Sequence, residues 1–199
     1  MALLESEAPR DPLALFERWY REAAAAGALQ PDAMTLATSG EEGVSARMVL
    51  FKGIEDGAFL FYSNFGSRKG RDLSWSRGAA LVFYWAVTRH QVRVSGAVRK
   101  MPRAVAQEYF HSRPRGAQLS ALASRQSHLV RSRELLESRV AELAAIYPDE
   151  VPMPKDWGGY ALRPSWIEFW ESREDRLHDR LRYVWRSPSG AWRIERLAP

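Results

Sequence analysis

Hydrophobic and polar residues recur with two different periods along this chain. Near the N-terminus, "DPLALFERWYREAAAAGAL" places Leu15 and Trp19 four residues apart, a spacing that puts both side chains on one face of an α-helix. Asp11 is suited to cap this helix, Pro12 to occupy its first turn and Gly27 to end it. The segment is therefore predicted to be an amphipathic helix that packs on the core.

Beyond this helix, the pattern changes to the two-residue alternation of β-strands. Turn sequences such as "GEEG" and "EDG" separate the first strands, which predicts antiparallel neighbours. The predicted strands are "MTLATS", "GVSARMVLFKGI", "GAFLFYSN", "AALVFYWAV", "HQVRVSGAVRKM", "GYALRPSWIEFW", "RLRYVWR" and "AWRIERL". Further helices are predicted at "SRKGRDLSWS", "PRAVAQEYFHS" and "RSRELLESRVAELAAIY". This order favours a mainly β structure of the α+β class: an antiparallel barrel with helices packed outside it.

Composition narrows the class of protein. A length of 199 residues suits one domain. The sequence has no cysteine, which excludes disulfides and thiolate metal sites and fits a reducing cytoplasm. It also has neither an apolar run of about 18 residues nor the pattern of a signal peptide. We therefore expect a cytoplasmic protein without a membrane partner, whose first 11 residues are flexible.

Basic residues exceed acidic ones, giving a formal net charge of +5. Such an excess is compatible with nucleic acid or with phosphorylated small molecules. The basic residues recur in short groups such as "SRKGR", "SRPRG" and "DRLHDRLR", which favours one or two phosphate groups over a nucleic-acid backbone. The four histidines show no metal-ligand spacing, and the sequence has no P-loop, dinucleotide fingerprint or nucleophile elbow. Neither a metal nor a nucleic-acid partner is predicted.

The segment "ARMVLFK" combines apolar residues with two cations. If it is a strand, Met48, Leu50 and Lys52 share one face, and Arg47 lies on the other. Lys52 has two interpretations that both stay open. It either extends its charge into solvent at the strand end, or it acts with Arg47 to bind an anion lying along the strand.

The segment "SNFGSRKG" is predicted to join a strand to a helix capped by Ser67. Arg68 and Lys69 would lie in the first helical turn, where positive charge is unfavourable beside the helix dipole. A bound phosphate would reverse that penalty, and Tyr62 and Ser63 would add hydroxyl groups. A solvated basic turn is the alternative.

A second candidate phosphate site follows in "EYFHSRPRGAQ". Tyr109 and Arg113 are four residues apart and so lie on one helical face. Ordinary packing of an aromatic ring on an arginine explains the pair equally well. Gln126 and Ser127, in "SRQS", offer neutral hydrogen-bonding groups that mean little on their own.

Near the C-terminus, "EFWESREDRLHDR" places Arg176, His178 and Arg180 at alternate positions. In an extended strand these three side chains would line one face, opposite Leu177 and Asp179. They would then converge on a common ligand, unless the segment is a solvated edge strand.

Taken in order, several of these segments resemble the pyridoxine (pyridoxamine) 5'-phosphate oxidases. They are "RMVLFK", "FYSNFGSRKG", "QVRVSG", "YFHSRPR", "RQS", "WGGY", "IEFW", "RLHDR" and the terminal "RLAP". The resemblance extends from about Pro12 to Pro199. It implies a single-domain, antiparallel Greek-key split β-barrel that binds FMN and forms a homodimer with each flavin between the two subunits. Residues 159–199 would then be the dimerisation and substrate segment.

The resemblance also implies roles for individual residues, several of them contributed by the partner subunit. The FMN site would comprise Arg47, Met48, Val49, Leu50, Phe51, Lys52, Tyr62, Ser63, Arg68, Lys69, Gln91, Gln126, Ser127, Trp170 and Arg180. The substrate site would comprise Lys52, Tyr109, Arg113, Arg176, Leu177 and His178. Arg176 and His178 would be catalytic: Arg176 would orient the substrate ring, and His178 would act as a hydrogen-bond partner and proton acceptor.

The activity implied by the resemblance is oxidation of pyridoxine or pyridoxamine 5'-phosphate by O2 to pyridoxal 5'-phosphate and hydrogen peroxide. Hydride would pass from the C4' carbon to the flavin, and the amine substrate would also release ammonia. The alternatives are a related flavin oxidase of the phenazine-pathway type that acts on another reduced heterocycle, a non-catalytic binder of FMN or pyridoxal phosphate, or a nucleic-acid binder.

Four positions depart from the pattern of the family. Ala117 stands where a serine usually donates to the substrate phosphate, and losing such a bond costs about 1.5 to 3 kcal/mol. Ser120 stands where glycine is common, Leu122 where tryptophan is common, and Glu171 where glutamine, glycine or histidine is usual. All four are expected near the substrate end of the site, and the choice between the two substrates stays open.

Overall fold

The computed structural model describes residues 3–187 and 190–199. The helices are α1 (Pro12–Ala25), α2 (Arg68–Trp75), α3 (Arg103–Ser112), α4 (Arg115–Ala123) and α5 (Arg133–Ile146). The strands are β1 (Ala33–Gly40), β2 (Gly43–Leu50), β3 (Ile54–Glu55), β4 (Ala58–Asn64), β5 (Gly78–Trp85), β6 (His90–Lys100), β7 (Trp157–Glu171), β8 (Asp179–Arg186) and β9 (Ala191–Arg196). Among the described residues, no helix has both the length and the hydropathy needed to cross a membrane.

The strands form an antiparallel sheet, so the predicted α+β class is confirmed. The strand order is β2-β1-β5-β6-β7-β4-β3, and β8 and β9 continue from β7. Strands distant in sequence are therefore neighbours, as β1 is of β5 and β4 is of β7. The strand patterns located most of the strands, although the predicted strand "GVSARMVLFKGI" is divided into β2 and β3. The long-range pairings could not be read from these patterns.

The main core forms where α1 packs on the sheet. Asp11 caps the helix by accepting a hydrogen bond from the Leu13 N–H at 2.9 Å. The ring of Phe16 is fully buried and lies edge-on to Phe59 and Phe83, with centroid separations of 4.8 and 4.9 Å. Edge-to-face packing of this kind adds to the stabilisation from burial. The predicted amphipathic helix is confirmed.

A second, smaller core lies beneath α3, α4 and α5. Phe110 of α3, Leu119 of α4 and Leu143 of α5 are buried together with Trp157, the first residue of β7. Helix α4 was not predicted from the sequence. Its N-cap is Pro114, which offers no side-chain hydrogen bond, so the usual start signal of a helix is missing.

Strand β7 connects two distant parts of the molecule. Its first half pairs with β4, its second half pairs with β8, and β6 runs along both. The register of β6 and β7 shifts between Ser95 and Gly96. A Cβ atom on Gly96 would lie 1.9 Å from the Arg163 carbonyl oxygen, so the close approach at this irregularity requires glycine. Pro164, directly opposite Gly96, occupies a position where the ladder is already interrupted.

The predicted strand through Arg176 and His178 is wrong. Strand β8 begins only at Asp179, and Arg176 has a left-handed φ of 62°. The Leu177 N–H donates to Asp175 Oδ1 at 3.0 Å, which stabilises a turn because aspartate often bonds the backbone two residues ahead. The three cationic positions therefore do not share the face of one strand.

The described part of the N-terminal segment, expected to be flexible, lies against β8 and β9. Leu3 is buried, and Arg196 donates to both carboxylate oxygens of Glu5. The Tyr183 hydroxyl donates to the Pro9 carbonyl at 2.9 Å. These contacts give the segment a defined location on the C-terminal strands.

Candidate active site

A cavity of about 600 Å³ opens between β2, β4 and helices α3 and α4. Many of the residues predicted for the flavin or the substrate line it, although they come from separate segments. They are Met48, Val49, Leu50, Lys52, Tyr62, Ser63, Lys69, Tyr109, Arg113 and Gln126. The fold thus brings most of the predicted cofactor and phosphate residues into one place.

Lys69 occupies one corner of the cavity and is 7% exposed. Its ammonium group donates to Ser67 Oγ and to Gln126 Oε1, both at 3.0 Å. Gln126 Oε1 also accepts from the Ser63 hydroxyl at 3.2 Å. Burial, reinforced by the charge of Arg47, lowers the pKa of Lys69 to about 8. In the described part of the chain this cation contacts only neutral groups, so the corner is suited to an anion.

Arg47 lies beside this corner, and its guanidinium is held by Thr38 and Asp72. Its Nη1 donates to Thr38 Oγ1 at 2.6 Å, and its Nη2 lies 3.6 Å from Asp72 Oδ2. Asp72 is buried on α2 and also accepts from the Thr38 hydroxyl at 2.6 Å. Arg68 contacts Glu42 on the outer side of the same helical turn. The first turn of α2 thus carries cations, as predicted, and Asp72 fixes the orientation of Arg47.

Arg113 occupies the other end of the cavity. Its guanidinium lies over the ring of Trp157, 5.0 Å from the centroid, and burial lowers its pKa. Its Nη1 is buried without a hydrogen-bond partner among the described residues. A buried donor of this kind is costly to leave unpaired. This end therefore fits a second anion.

Aromatic rings form the wall between the two ends. The rings of Tyr62 and Tyr109 stack at 3.9 Å between centroids, and Trp157 lies parallel to Tyr62 at 5.6 Å. Lys52 lies in the same cavity, with its Nζ 3.0 Å from Asp32 Oδ2. Unlike Lys69, it already has a carboxylate partner.

Strand β2 ends at Leu50, whereas the segment predicted to contact the flavin continues to Lys52. Met48 and Leu50 are exposed at the cavity, in agreement with the predicted apolar face. Phe51 follows the strand, and its side chain is buried in the main core, so it offers the cavity no side-chain contact. The N–H groups of Phe51 and Lys52 are already bonded to the carbonyls of Asp32 and Leu60.

A second group of predicted residues lies outside the cavity, in one row across three strands. Gln91 of β6 is directly opposite Trp170 of β7, and Trp170 is directly opposite Arg180 of β8. Tyr62 pairs with β7 at Gly159, eleven residues before Trp170 and up to about 36 Å away along an extended strand. We call Gln91, Trp170 and Arg180 the sheet row.

The turn before β8 lies at the same end of the molecule as the sheet row. His178 packs on Trp170 with ring centroids 4.7 Å apart, and its Nδ1 accepts from the Arg173 N–H at 3.0 Å. Leu177 is exposed. Ser127, with a positive φ of 69°, is exposed after α4 and does not line the cavity.

The sequence of the chain matches known protein families along most of its length. The profile described as "Pyridoxamine 5'-phosphate oxidase" matches residues 20–147. The profile described as "Pyridoxine 5'-phosphate oxidase C-terminal dimerisation region" matches residues 157–199. The chain belongs to the pyridoxamine 5'-phosphate oxidase family. This family indicates an oxidoreductase, and the dimerisation region indicates a homodimer.

Two named bacterial relatives in this family are similar over nearly their whole length. The pyridoxine/pyridoxamine 5'-phosphate oxidase of Salinibacter ruber is 51% identical over 192 residues, which cover 95% of this chain and 89% of that protein. The protein of the same name from Bordetella pertussis is 48% identical, covering 99% of this chain and 93% of its own.

Two solved structures are similar to this one. PhzG from Burkholderia lata, in complex with tetrahydrophenazine-1-carboxylic acid, has a TM-score of 0.93 at 32% identity and covers 100% of this chain and 98% of its own. A pyridoxamine 5'-phosphate oxidase-related, FMN-binding protein from Nostoc punctiforme has a TM-score of 0.73 at 18% identity and covers 100% of both chains. These similarities confirm the split-barrel fold expected from the sequence.

The family indicates a flavin cofactor, and the cavity has the groups to hold one. Lys69 is a buried cation with neutral partners at the first turn of α2, which suits a phosphate. Met48 and Leu50 present exposed apolar surface, which suits a planar ring system. The residues present therefore fit FMN.

Sequence reasoning missed several groups that shape the cavity. Trp157 was noted only as part of a motif, although its ring supports Arg113. Asn64 lines the cavity and fixes the turn before α2, because its Oδ1 accepts from the Gly66 N–H at 2.7 Å. No pattern in the sequence indicates a role for Asp72. Its role depends on the packing of α2 on β1, which local patterns do not reveal.

The four positions that depart from the family pattern are separated in the structure. Ala117 and Ser120 line the cavity on α4, and Leu122 packs against the small core. Glu171 lies elsewhere in the chain, directly opposite His90, and burial raises its pKa. Of the four, only Ala117 and Ser120 are among the described residues that line the cavity.

Proposed function

We propose that this protein is an FMN-dependent oxidase that converts pyridoxine or pyridoxamine 5'-phosphate, with O2, to pyridoxal 5'-phosphate and hydrogen peroxide. The observation that carries the proposal is the pair of unmatched cations in one cavity. Lys69 has only neutral partners, and Arg113 has a buried nitrogen without one, among the described residues. Two anionic groups, one on the cofactor and one on the substrate, would satisfy both.

The corner around Lys69 would hold the phosphate of FMN. Arg47 and Arg68 would add positive charge, and Ser63 and Gln126 would add neutral hydrogen bonds. Free N–H groups at the start of α2 would contribute as well, since a helix N-terminus favours anions. The backbone from Met48 to Lys52 would run along the flavin ring.

The corner around Arg113 would hold the phosphate of the substrate. Arginine binds phosphate through paired N–H donors, and the unpaired Nη1 supplies one of them. Tyr109 and Lys52 would complete this corner, with Lys52 shared between Asp32 and the ligand. Ala117 has no donor to offer. Ser120, which also lines the cavity, is the neighbouring hydroxyl that could replace it.

The sheet row of one subunit would close the cavity of the other. This follows from their positions at opposite ends of β7 and from the family's dimerisation region, which contains Trp170 and Arg180. Arg176, Leu177 and His178 would then approach the substrate from the partner side. Each site would need both subunits.

Bound FMN would supply the acceptor for a hydride from the substrate and would pass the electrons to O2. The chain would contribute orientation and charge. Tyr62, Tyr109 and Trp157 would shield the cavity from water, and Arg176 would stabilise negative charge on the substrate ring.

The hydrogen bond at His178 sharpens its expected role. Because Nδ1 accepts from the Arg173 N–H, the neutral imidazole carries its proton on Nε2. His178 would then present a donor to the substrate. The proton-acceptor role expected from the resemblance would require this hydrogen bond to break.

The test is anaerobic addition of each substrate to the purified protein loaded with FMN. We expect bleaching of the flavin absorbance, followed on admission of air by O2 uptake and formation of pyridoxal 5'-phosphate. Flavin that stays oxidised with both substrates would contradict the proposal and would leave a binding function.

A second candidate is oxidation of a reduced tricyclic heterocycle. It is favoured by the TM-score of 0.93 with PhzG, which was solved with tetrahydrophenazine-1-carboxylic acid, and by the missing donor at Ala117. The cations at Lys52 and Arg113 do not separate the two candidates, because they suit the carboxylate of this compound as well as a phosphate. Bleaching by tetrahydrophenazine-1-carboxylic acid, but not by the phosphorylated substrates, would establish it instead.

A further inference from the structure

A buried carboxylate lies beside the sheet row. Glu168 is 3% exposed and precedes Trp170 by two residues on β7, so the two side chains are on the same face. Its Oε1 accepts from Arg180 Nε at 3.0 Å and from Arg180 Nη2 at 2.8 Å. Its Oε2 accepts from Arg93 Nη1 at 3.3 Å. Glu168 therefore holds Arg180 through two hydrogen bonds to one oxygen.

Arg180 is also held by the backbone of the C-terminal residues Leu197 and Ala198. Its Nη1 donates to the carbonyl of Ala198 at 2.8 Å, and the Leu197 N–H donates to the Arg180 carbonyl at 3.0 Å. A guanidinium has five N–H donors, and these contacts leave one on each terminal nitrogen without a partner among the described residues. The side chain is 24% exposed. Arg180 is thus immobilised with two donors still available.

We propose that Glu168 is a positioning residue that aims the free donors of Arg180 at the flavin held in the partner's cavity. This inference rests on the proposed function. An arginine that is already fixed loses less conformational entropy when it binds than a mobile one does. Without Glu168, Arg180 would keep its charge but lose its orientation.

A purely structural ion pair between β7 and β8 is the competing explanation. Stability alone gives little reason for a buried ion pair, because apolar residues of similar volume are often as stabilising. Arg93 also contacts Glu168, but it extends toward Trp166 with its side chain 44% exposed. The two arginines allow the two explanations to be separated.

The experiment is a double-mutant cycle with E168Q, R180M and the double variant. FMN affinity is measured by quenching of flavin fluorescence, and unfolding of the FMN-free protein is followed by thermal denaturation. We expect each single variant to weaken FMN binding about tenfold, which is the loss of a charge-assisted hydrogen bond. We expect the double variant to bind no more weakly than R180M.

R93Q is the matched control, because it removes the other partner of Glu168 and leaves Arg180 in place. We expect R93Q to bind FMN within about twofold of the wild type. E168D, which keeps the charge but shortens the reach, provides a second variant if E168Q does not fold, and its affinity should also fall.

The outcomes separate this role from the proposed function. Effects of E168Q and R180M that multiply in the double variant, or an E168Q variant that binds FMN as the wild type does, would overturn the positioning role alone. A wild-type protein that does not bind FMN would overturn both. Loss of thermal stability with unchanged FMN affinity would establish the purely structural ion pair.

Discussion

The cavity and the sheet row are built in opposite ways. The cavity is assembled from strand ends, helix termini and loops of one chain, and of its key cations Lys69 is buried and Arg113 is half-buried. The sheet row lies on three neighbouring strands, and its side chains are half-buried. The walls of the cavity all come from a single chain. The sheet row is a surface, and it would become part of a site only by covering a cavity.

The cations of the cavity and of the sheet row also differ in whether they are paired with a carboxylate. Within the described residues, Lys69 has neutral hydrogen-bond partners, and one nitrogen of Arg113 has none. Arg180 of the sheet row, in contrast, is paired with the buried carboxylate of Glu168. Unpaired buried charge is destabilising until a ligand arrives, whereas paired charge is stable without one. The cavity is therefore the region where ligands should have the largest effects.

The largest effect is expected from removing the unpaired cation. R113M should lower kcat/KM for pyridoxine 5'-phosphate by about 100-fold or more, because a charge-assisted, bidentate phosphate contact is lost. FMN affinity should change little. Steady-state kinetics and FMN titration measure the two effects, with R139M, at an exposed ion pair on α5, as the control. If R113M lowered FMN affinity as much as it lowers kcat/KM, the corners around Lys69 and Arg113 would not bind separate ligands.

Mixed dimers test whether the cavity and the sheet row act across subunits. At an FMN concentration well below the dissociation constant of R180M, R113M should be nearly inactive and R180M should keep about a tenth of wild-type activity. Mixed in equal amounts and allowed to exchange subunits, they should regain about a quarter of wild-type activity, because half of the dimers would each contain one intact site. No recovery, despite subunit exchange, would place both regions in the same chain's site.

The pH dependence of FMN binding tests the buried charge of Lys69. Its ordinary pKa of 10.5 is lowered to about 8 by burial, and a bound phosphate would raise it again by stabilising the charged form. Affinity should therefore be constant just below pH 8 and fall by up to about tenfold per pH unit above it. Titrations between about pH 7 and 9.5 avoid the second ionisation of the phosphate, near pH 6.

The control for this prediction is K69M. The variant should bind FMN more weakly at neutral pH and should lose the alkaline decline. A decline that persists unchanged in K69M would assign it to another group.

The smallest effect concerns the strained turn beside the sheet row. Arg176 has a φ of 62°, which costs a residue with a Cβ roughly 1 kcal/mol and costs glycine much less. R176G and R176A both remove the guanidinium, so their losses of activity should be equal. R176G should nevertheless unfold at the higher temperature. Equal stability of the two variants would show that the turn carries no strain.

Local chemistry made much of the fold predictable. The cap at Asp11, the stripe through Leu15 and Trp19, and the alternation of the long strands each depend on neighbours in sequence. Helix α4 was missed because it begins directly after α3, at a proline that ends the predicted helix and gives no side-chain cap. The turn at Arg176 was missed because alternating polar residues also suit a strand, and the turn is revealed by the positive φ of Arg176 and by the bond from the Leu177 N–H to Asp175.

The sequence by itself determined the family, most of the helices and strands, and the residue types that suit two phosphates. Tertiary structure alone decided which of those residues meet. Lys69 and Gln126 are 57 positions apart yet in contact, whereas Tyr62 pairs with the first part of β7 and Trp170 lies near the other end of that strand. The reason is physical: periodicity reports the face of an element on which a residue lies, but the pairing of strands and the packing of helices decide what that face meets.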